Sequence, residues 1–344
     1  MAPNSLAAEL VALGVALTAA VTLGAVWDSA TGRRRFAYRG MILILCVAGA
    51  AGTGLIWLNR QVDAVPSWAS LTVSGTPAAA DPAAVPQRRR ENGGHIETFT
   101  VAGPASGLTL TMYAYLPAVY QPGDGRRYPV IEALHGYPAS PLQWLNGLDA
   151  ITLLDEEIEA GRMAPTIVLF PYQTPKPSLD TECTNMAGGP QTETFLTADV
   201  PAFARATLPV RDDPGSWGLI GYSAGGFCAS SLLLRHPGQY TAAASLSGYA
   251  DPGIAVGDGS EHTTYDLTWR LRNLPVPAVS LYLACAKTDR TAMRAATDLS
   301  GLAKAPMTVT TAFVETGGHN AQTWSASARP AFGWLSARLA RPVP

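Results

Sequence analysis

The stretch Trp217–Ser230, WGLIGYSAGGFCAS, decides how this chain is read. Its first half, WGLIGY, is a short apolar run of the kind that fills a buried strand, and AGGFCAS is made of small residues that a helix accepts. Between the two stands Ser223, fenced by Gly221 and Gly225. A G-x-S-x-G pattern set between a strand and a helix is the elbow in which a serine hydroxyl is held exposed on a sharp turn. The pattern alone recurs by chance in glycine-rich chains, so its weight comes from the strand and helix on either side. The alternative is a small residue filling a crowded turn.

The same alternation extends in both directions. YPVIEALHG, PTIVLFP, AAASLSG, AVSLYLACA and MTVTTAFVE are short apolar runs ending in Gly, Pro or polar residues, as buried parallel strands do. Helical periodicity marks LQWLNGLDAITLLDEEIEAG, TFLTADVPAFARATL, DRTAMRAATDLSGLAK and AQTWSASARPAFGWLSARLA. Ahead of them, HIETFTV and LTLTMYAYLP alternate apolar and polar residues like paired strands at a sheet edge. This order predicts an α/β fold over residues 95–344, with a mostly parallel central sheet flanked by helices. Ligands of such sheets bind beyond the carboxyl ends of the strands, so the chemistry belongs to residues that directly follow strands.

A serine nucleophile needs a general base, and the chain offers five histidines: His95, His135, His236, His262 and His319. His319, in VETGGHNAQTW, follows the last strand in a glycine-softened loop that can reach back over the sheet. His236 reads as a residue at a helix end and His262 as part of a polar loop. Asp289, just after AVSLYLACAKT, is the favoured acid to hold the imidazole, in the chain order Ser, acid, His. It could also cap the helix that follows. Glu315 is its rival because it lies close to His319 in sequence. An oxyanion formed at the serine would need two backbone N–H groups. Ala224 supplies one directly after the serine, and Tyr137, in ALHGYPAS, supplies the other, with Gly136 letting the chain turn and His135 structural.

The amino-terminal sixty residues are of another kind. Leu6–Trp27 is an apolar run of 22 residues whose one charge is Glu9, and Met41–Leu58 is a second of 18 with Trp57 near its end. Each suits a hydrocarbon core of about 30 Å. The connecting DSATGRRRFAYRG carries Arg33, Arg34, Arg35 and Arg39. Positive loops stay on the cytoplasmic side, so two retained spans at residues 1–60 place everything after them on the outer face. A cleaved leader would carry its basic cluster before the apolar run. Residues 61–94, rich in Ala and Pro, read as a flexible tether.

With 344 residues, 47% hydrophobic, the chain can build a substantial core, and a net charge of −2 gives no field that would attract nucleic acid. Dispersed histidines and the lack of H-E-x-x-H, C-x-x-C, P-loop or strand-borne G-x-G-x-x-G patterns predict no metal and no cofactor. Of four cysteines, Cys46 lies in the second apolar run. Among Cys183, Cys228 and Cys285, a Cys183–Cys228 bridge is favoured, which would pin the long segment Tyr172–Gln191 beside the serine; Cys183–Cys285 or three free thiols are the alternatives. That segment is expected to line the substrate cleft.

LHGYP, ETFLTADVPAF, IGYSAGGFCASSLLLRHPGQY, SLSGYADP and GGHNAQTW, in this order, resemble the esterase D-like branch of the α/β-hydrolases, which includes secreted mycolyltransferases of the antigen 85 type. The resemblance covers roughly Ile96 to Leu339. It implies an α/β-hydrolase fold, a Ser223, Asp289 and His319 triad, Tyr137 and Ala224 as oxyanion donors, and ester chemistry without metal or cofactor. The loop HGYPAS departs from the mycolyltransferases, which carry there an acidic residue and an arginine that engage a sugar. The expectation is therefore an outward-facing serine esterase acting on small-molecule or lipid esters, in contact with the bilayer and with no identifiable protein partner. The rival readings are an acyltransferase onto a sugar or envelope alcohol, and a catalytically silent scaffold.

Overall fold

A computed structural model describes residues 5–27, 34–62, 93–176 and 178–344. The chain forms two compact units, Met1–Ser74 and Gly75–Pro344. In the first, helix α1 (Leu6–Val26) is opened by Ser5, whose hydroxyl accepts the Ala8 N–H, and is followed by helix α2 (Arg34–Val62). Both are long and apolar enough to cross a membrane, over Leu6–Ala25 and Arg35–Asn59. Leu10, Val21, Ile44 and Leu55 point outward, while Gly49 lets the helices close on each other: a Cβ there would come within 3.0 Å of Ala16 Cα.

The second helix is longer than the expected apolar run, and Arg34, Arg35 and Arg39 lie in its first turns instead of a connecting loop. Nothing in RRFAYRG stops a helix, since Arg, Phe, Ala and Tyr all continue one and the single Gly40 costs little. Arg39 donates to the Trp27 carbonyl at 2.8 Å and lies over its ring, 4.3 Å from the centroid. Arg33 and almost all of the expected tether lie outside the described residues.

The second unit is built on one eight-stranded sheet: β1 (His95–Ala102), β2 (Thr109–Leu116), β3 (Val130–Leu134), β4 (Ile167–Pro171), β5 (Trp217–Tyr222), β6 (Ala242–Leu246), β7 (Ser280–Ala286) and β8 (Thr308–Val314). Their spatial order is β1-β2-β4-β3-β5-β6-β7-β8. The alternating segments β1 and β2 form the antiparallel edge, and all pairings from β4 to β8 are parallel. The side chains sort by period two: on β2, Leu110, Met112, Ala114 and Leu116 enter one core, while Tyr113 and Tyr115 enter the other.

Helices cover both faces. One face carries α4 (Thr192–Thr194), which runs through a π turn into α5 (Val200–Thr207), then α6 (Ala224–Arg235), α7 (Leu267–Asn273) and α8 (Arg290–Leu302). Val200, Phe227, Leu232, Leu267 and Leu299 fill its core. The other face holds α3 (Ala150–Glu159) and α9 (Ala321–Ser336), with Leu154, Trp324 and Phe332 packed beside Trp144 from a π turn at Gln143–Gly147. The expected helix over residues 142–161 is thus broken at Asp149, which has φ 48. The short α7, capped by Asp266 onto Thr268 and Trp269, has no sequence signature, because seven residues with two arginines show too little apolar period. Crossovers on both sides of the parallel strands bring the loops after β3, β5, β6, β7 and β8 to one edge of the sheet, where the site lies.

Candidate active site

Ser223 follows β5 directly and adopts φ 56, ψ −123, a left-handed conformation that is strained for a residue with a side chain. The glycines around it are required by contact. A Cβ on Gly221 would collide with the Gly225 carbonyl, and one on Gly225 with the carbonyls of Leu134 and His135. The elbow is tied down by backbone: Ser223 N–H donates to Leu246 O at 2.9 Å, and Gly226 N–H and Phe227 N–H donate to Ser223 O.

From this turn the Ser223 hydroxyl meets His319 Nε2 at 2.8 Å, and His319 Nδ1 meets Asp289 Oδ2 at 2.7 Å. With Nδ1–H donating to the carboxylate, Nε2 is left to accept from the serine. Asp289 stands on the first turn after β7, only 6% exposed, and its Oδ1 also accepts the Ala292 N–H, so it caps α8 as well. Glu315, the rival acid, points away and pairs with Lys287 Nζ at 2.6 Å. His319 precedes α9, which Asn320 caps through Thr323 N–H. Thr288 Oγ1 donates to Gly317 O, linking the two loops that carry Asp289 and His319.

The other histidines lie elsewhere. His236 ends α6 and contacts Glu193 at 2.6 Å, His262 is exposed, and His95 starts β1. His135 is buried beneath the loop after β3, where burial pushes its pKa down to about 4, so the ring is neutral at ordinary pH. Its Nδ1 contacts Gly136 O at 2.8 Å and its Nε2 accepts the Gln173 N–H at 3.3 Å, while Gln173 Nε2 donates to His135 O. This brace holds the chain that leads to Tyr137. Gly136 runs close against the elbow: a Cβ there would lie 2.8 Å from the Tyr222 ring and 3.2 Å from Ser223 Cβ. Tyr137 follows Gly136 directly in the chain, and Ala224 is the first residue of α6. Gln173 carried no signal in the sequence, because its partners are 38 residues away.

Cys183 and Cys228 form a disulfide that joins the segment 172–191 to α6 one turn past Ser223; Cys285 is buried and free. Beside the bridge, Tyr249 donates its hydroxyl to Glu182, whose carboxyl burial and the nearby Asp180 hold well above the ordinary carboxylate range. Burial, with help from Asp180, also raises the Tyr137 phenol. The Cys285 thiol is pushed up to about 11 by burial and by Asp289, so it stays neutral beside that acid.

A sheet of this order with a serine elbow after its middle strand defines an α/β-hydrolase. A family model described as "Putative esterase" matches residues 104–335, and the chain belongs to this Esterase family of enzymes acting on ester bonds. An uncharacterized protein of Corynebacterium glutamicum is 24% identical over 246 residues, which make up 66% of this chain and 57% of that one. The diacylglycerol acyltransferase/mycolyltransferase Ag85A of Mycobacterium leprae is 29% identical over 108 residues, 27% of this chain and 32% of that one. The chain therefore spans little more than half of one of these relatives and about a third of the other. A ferulic acid esterase of known structure shares the fold, with a TM-score of 0.63 at 15% identity, covering 72% of this chain and 100% of that one.

Proposed function

We propose that this chain is a serine esterase held in a membrane by α1 and α2, with its catalytic unit on the outer face and with carboxylic esters of small molecules or lipids as substrates. The observation that carries the chemistry is the unbroken hydrogen-bond path from Ser223 through His319 to Asp289. Ser223 Oγ attacks the ester carbonyl while His319 Nε2 takes its proton, and Asp289 steadies the imidazolium through Nδ1–H. The N–H groups of Tyr137 and Ala224 receive the oxyanion. His319 returns the proton to the departing alcohol, and water then releases the acyl group from Ser223 by the same steps in reverse order.

The topology rests on Arg33, Arg34, Arg35 and Arg39, a basic cluster between the two apolar segments that favours the cytoplasmic side. Cysteine labelling of residues 63–92 in intact cells tests it: reaction without permeabilisation is expected, and reaction only after permeabilisation contradicts it. For the chemistry, hydrolysis of p-nitrophenyl acetate, butyrate and octanoate is measured on the detergent-solubilised full chain and its Ser223→Ala variant. Turnover that falls to background in the variant is expected; equal turnover in both refutes the assignment.

A second reading is favoured by the match to the mycobacterial acyltransferase: transfer of the acyl group to a sugar or envelope alcohol in place of water. Product analysis with and without carbohydrate acceptors separates the two, because a transferase yields the new ester at the expense of free acid.

A further inference from the structure

The loop that carries His319 is short of backbone support. Its imidazole is 42% exposed and is held by hydrogen bonds at its two nitrogens. Two such bonds leave one motion free, a rocking of the ring about the line joining Nδ1 and Nε2. Because the Nε2 lone pair and the Nδ1–H bond diverge from that line, rocking leaves both nitrogens in place but turns the Nε2 lone pair away from the serine hydroxyl.

Trp324 stands where it can stop this motion. Asn320 starts α9 so that Trp324 falls one turn into the helix, and helical side chains lean back over the preceding turn, here toward His319. The indole meets the imidazole at right angles, with ring centroids 5.3 Å apart, and also stacks on Tyr222 at 4.6 Å and 25°. Tyr222 is the residue before the nucleophile. Trp144 then meets Tyr222 edge-on at 5.4 Å and donates its Nε1–H to Leu134 O at 3.0 Å, at the end of the strand that leads to Tyr137. One row of rings thus touches the strand ends that deliver the oxyanion loop and the nucleophile, and reaches the base itself.

A second observation separates Trp324 from an ordinary core tryptophan. It is 7% exposed, yet its indole Nε1 has no protein acceptor among the described residues, so no hydrogen bond from them anchors it in the way buried tryptophans are normally anchored. What it contributes is ring surface to two neighbours, His319 and Tyr222. Its neighbour Thr323 turns back onto the same loop and accepts the Gly318 N–H at 3.1 Å, so the first turn of α9 and the histidine loop are one packed piece.

We propose that Trp324 is a positioning residue that fixes the plane of the His319 imidazole relative to Ser223; the inference rests on the Ser223, His319 and Asp289 reading given above. It acts by packing, so another aromatic ring replaces it and an aliphatic side chain does not.

The test uses the detergent-solubilised full chain and the variants Trp324→Phe, Trp324→Leu and Trp324→Met. Sites are titrated with a fluorophosphonate, so that kcat is expressed per reactive serine and unfolded protein does not count. Leu and Met are expected to lower kcat per titrated site by about 10–100-fold, the usual consequence of a misplaced catalytic group, with KM within about threefold and a displaced acid limb of the kcat/KM pH profile. Phe is expected to restore kcat per site to within about threefold. Unchanged kcat per site in either aliphatic variant overturns the proposal, and so does a Phe variant as impaired as Leu. A Ser223→Ala control that keeps its turnover overturns the triad reading itself, which distinguishes that failure from one confined to Trp324.

Discussion

Ser223 sits on a turn fixed by backbone: its N–H is bonded to Leu246 O, its carbonyl accepts two N–H groups of α6, and Gly221 and Gly225 leave room for nothing but hydrogen at their α-carbons. His319, across a 2.8 Å hydrogen bond, sits on a half-exposed loop whose position depends on side chains: the Asp289 carboxylate, Thr288 on Gly317 O, the Lys287–Glu315 pair and the Trp324 ring. Ser223 is placed by steric exclusion, which is all or none. His319 is placed by a sum of contacts, each of which can be weakened alone.

This contrast orders the expected effects. Gly225→Ala drives a methyl group into two carbonyls of the neighbouring strand and turn, so activity is expected to vanish and the thermal midpoint to fall sharply, a core clash of the kind that costs about 4 kcal/mol or more. Retained turnover in that variant would show the elbow to be softer than the account allows. Asp289→Asn keeps an amide oxygen to cap α8 but presents the wrong partner to Nδ1–H. The expected result is a loss in kcat of about 10⁴-fold with little change in thermal midpoint. A parallel loss of stability would assign Asp289 a structural role first.

The difference between the two sides also explains what could be read before the fold was known. The elbow is local: G-x-S-x-G between a strand and a helix names Ser223 and Ala224 within a few residues, and the strands β1 to β8 follow from runs of four to eight apolar or alternating residues. His319 and Asp289 are legible as types of residue after strands, whereas what separates Asp289 from Glu315 lies in space: Asp289 meets His319 Nδ1 and Glu315 turns outward to Lys287. Trp324, Trp144 and Gln173 act through partners that are close only after folding, so no spacing rule points to their contacts. At the amino terminus, apolar length marks both helices, but α2 starts seven residues before its apolar run because arginines, which look like loop residues, extend a helix readily.

Two further variants probe intermediate effects. Replacing Cys183 and Cys228 together by Ser frees the segment 172–191 from α6. Removal of a native cross-link spanning 45 residues is expected to cost about 2–4 kcal/mol, read as a lower thermal midpoint, and to raise KM more than it lowers kcat. An effect on kcat alone would place the bridge's influence on the nucleophile and not on the cleft.

Glu132 tests the sheet beneath the site. It is fully buried on β3, where burial lifts its pKa to about 8 against an opposing hydrogen bond from Tyr240. A carboxyl whose pKa is raised on folding binds its proton more tightly in the folded chain, so stability falls as pH climbs from about 4.5. The decline continues until the folded group itself ionises near pH 8. Glu132→Gln is expected to flatten that decline, with a stability greater than the parent's at pH 8 by an amount on the order of a few kcal/mol, read as a higher thermal midpoint, and a smaller difference at pH 5. Parallel pH profiles for parent and variant would place the titration elsewhere. The smallest effect belongs to the exposed pair on the base side: Lys287→Ala should change kcat by less than about threefold, because exposed ion pairs contribute about 0–1 kcal/mol.

The central claim is that Ser223 is made nucleophilic by the path through His319 to Asp289. It is tested most directly by treating the full chain and its His319→Ala variant with a fluorophosphonate and locating the adduct by peptide mass spectrometry. The account predicts one adduct, on the peptide containing Ser223, formed rapidly in the parent and slowed by at least about 10³-fold in the variant. An adduct on another residue, or equal labelling rates in the two proteins, would contradict it.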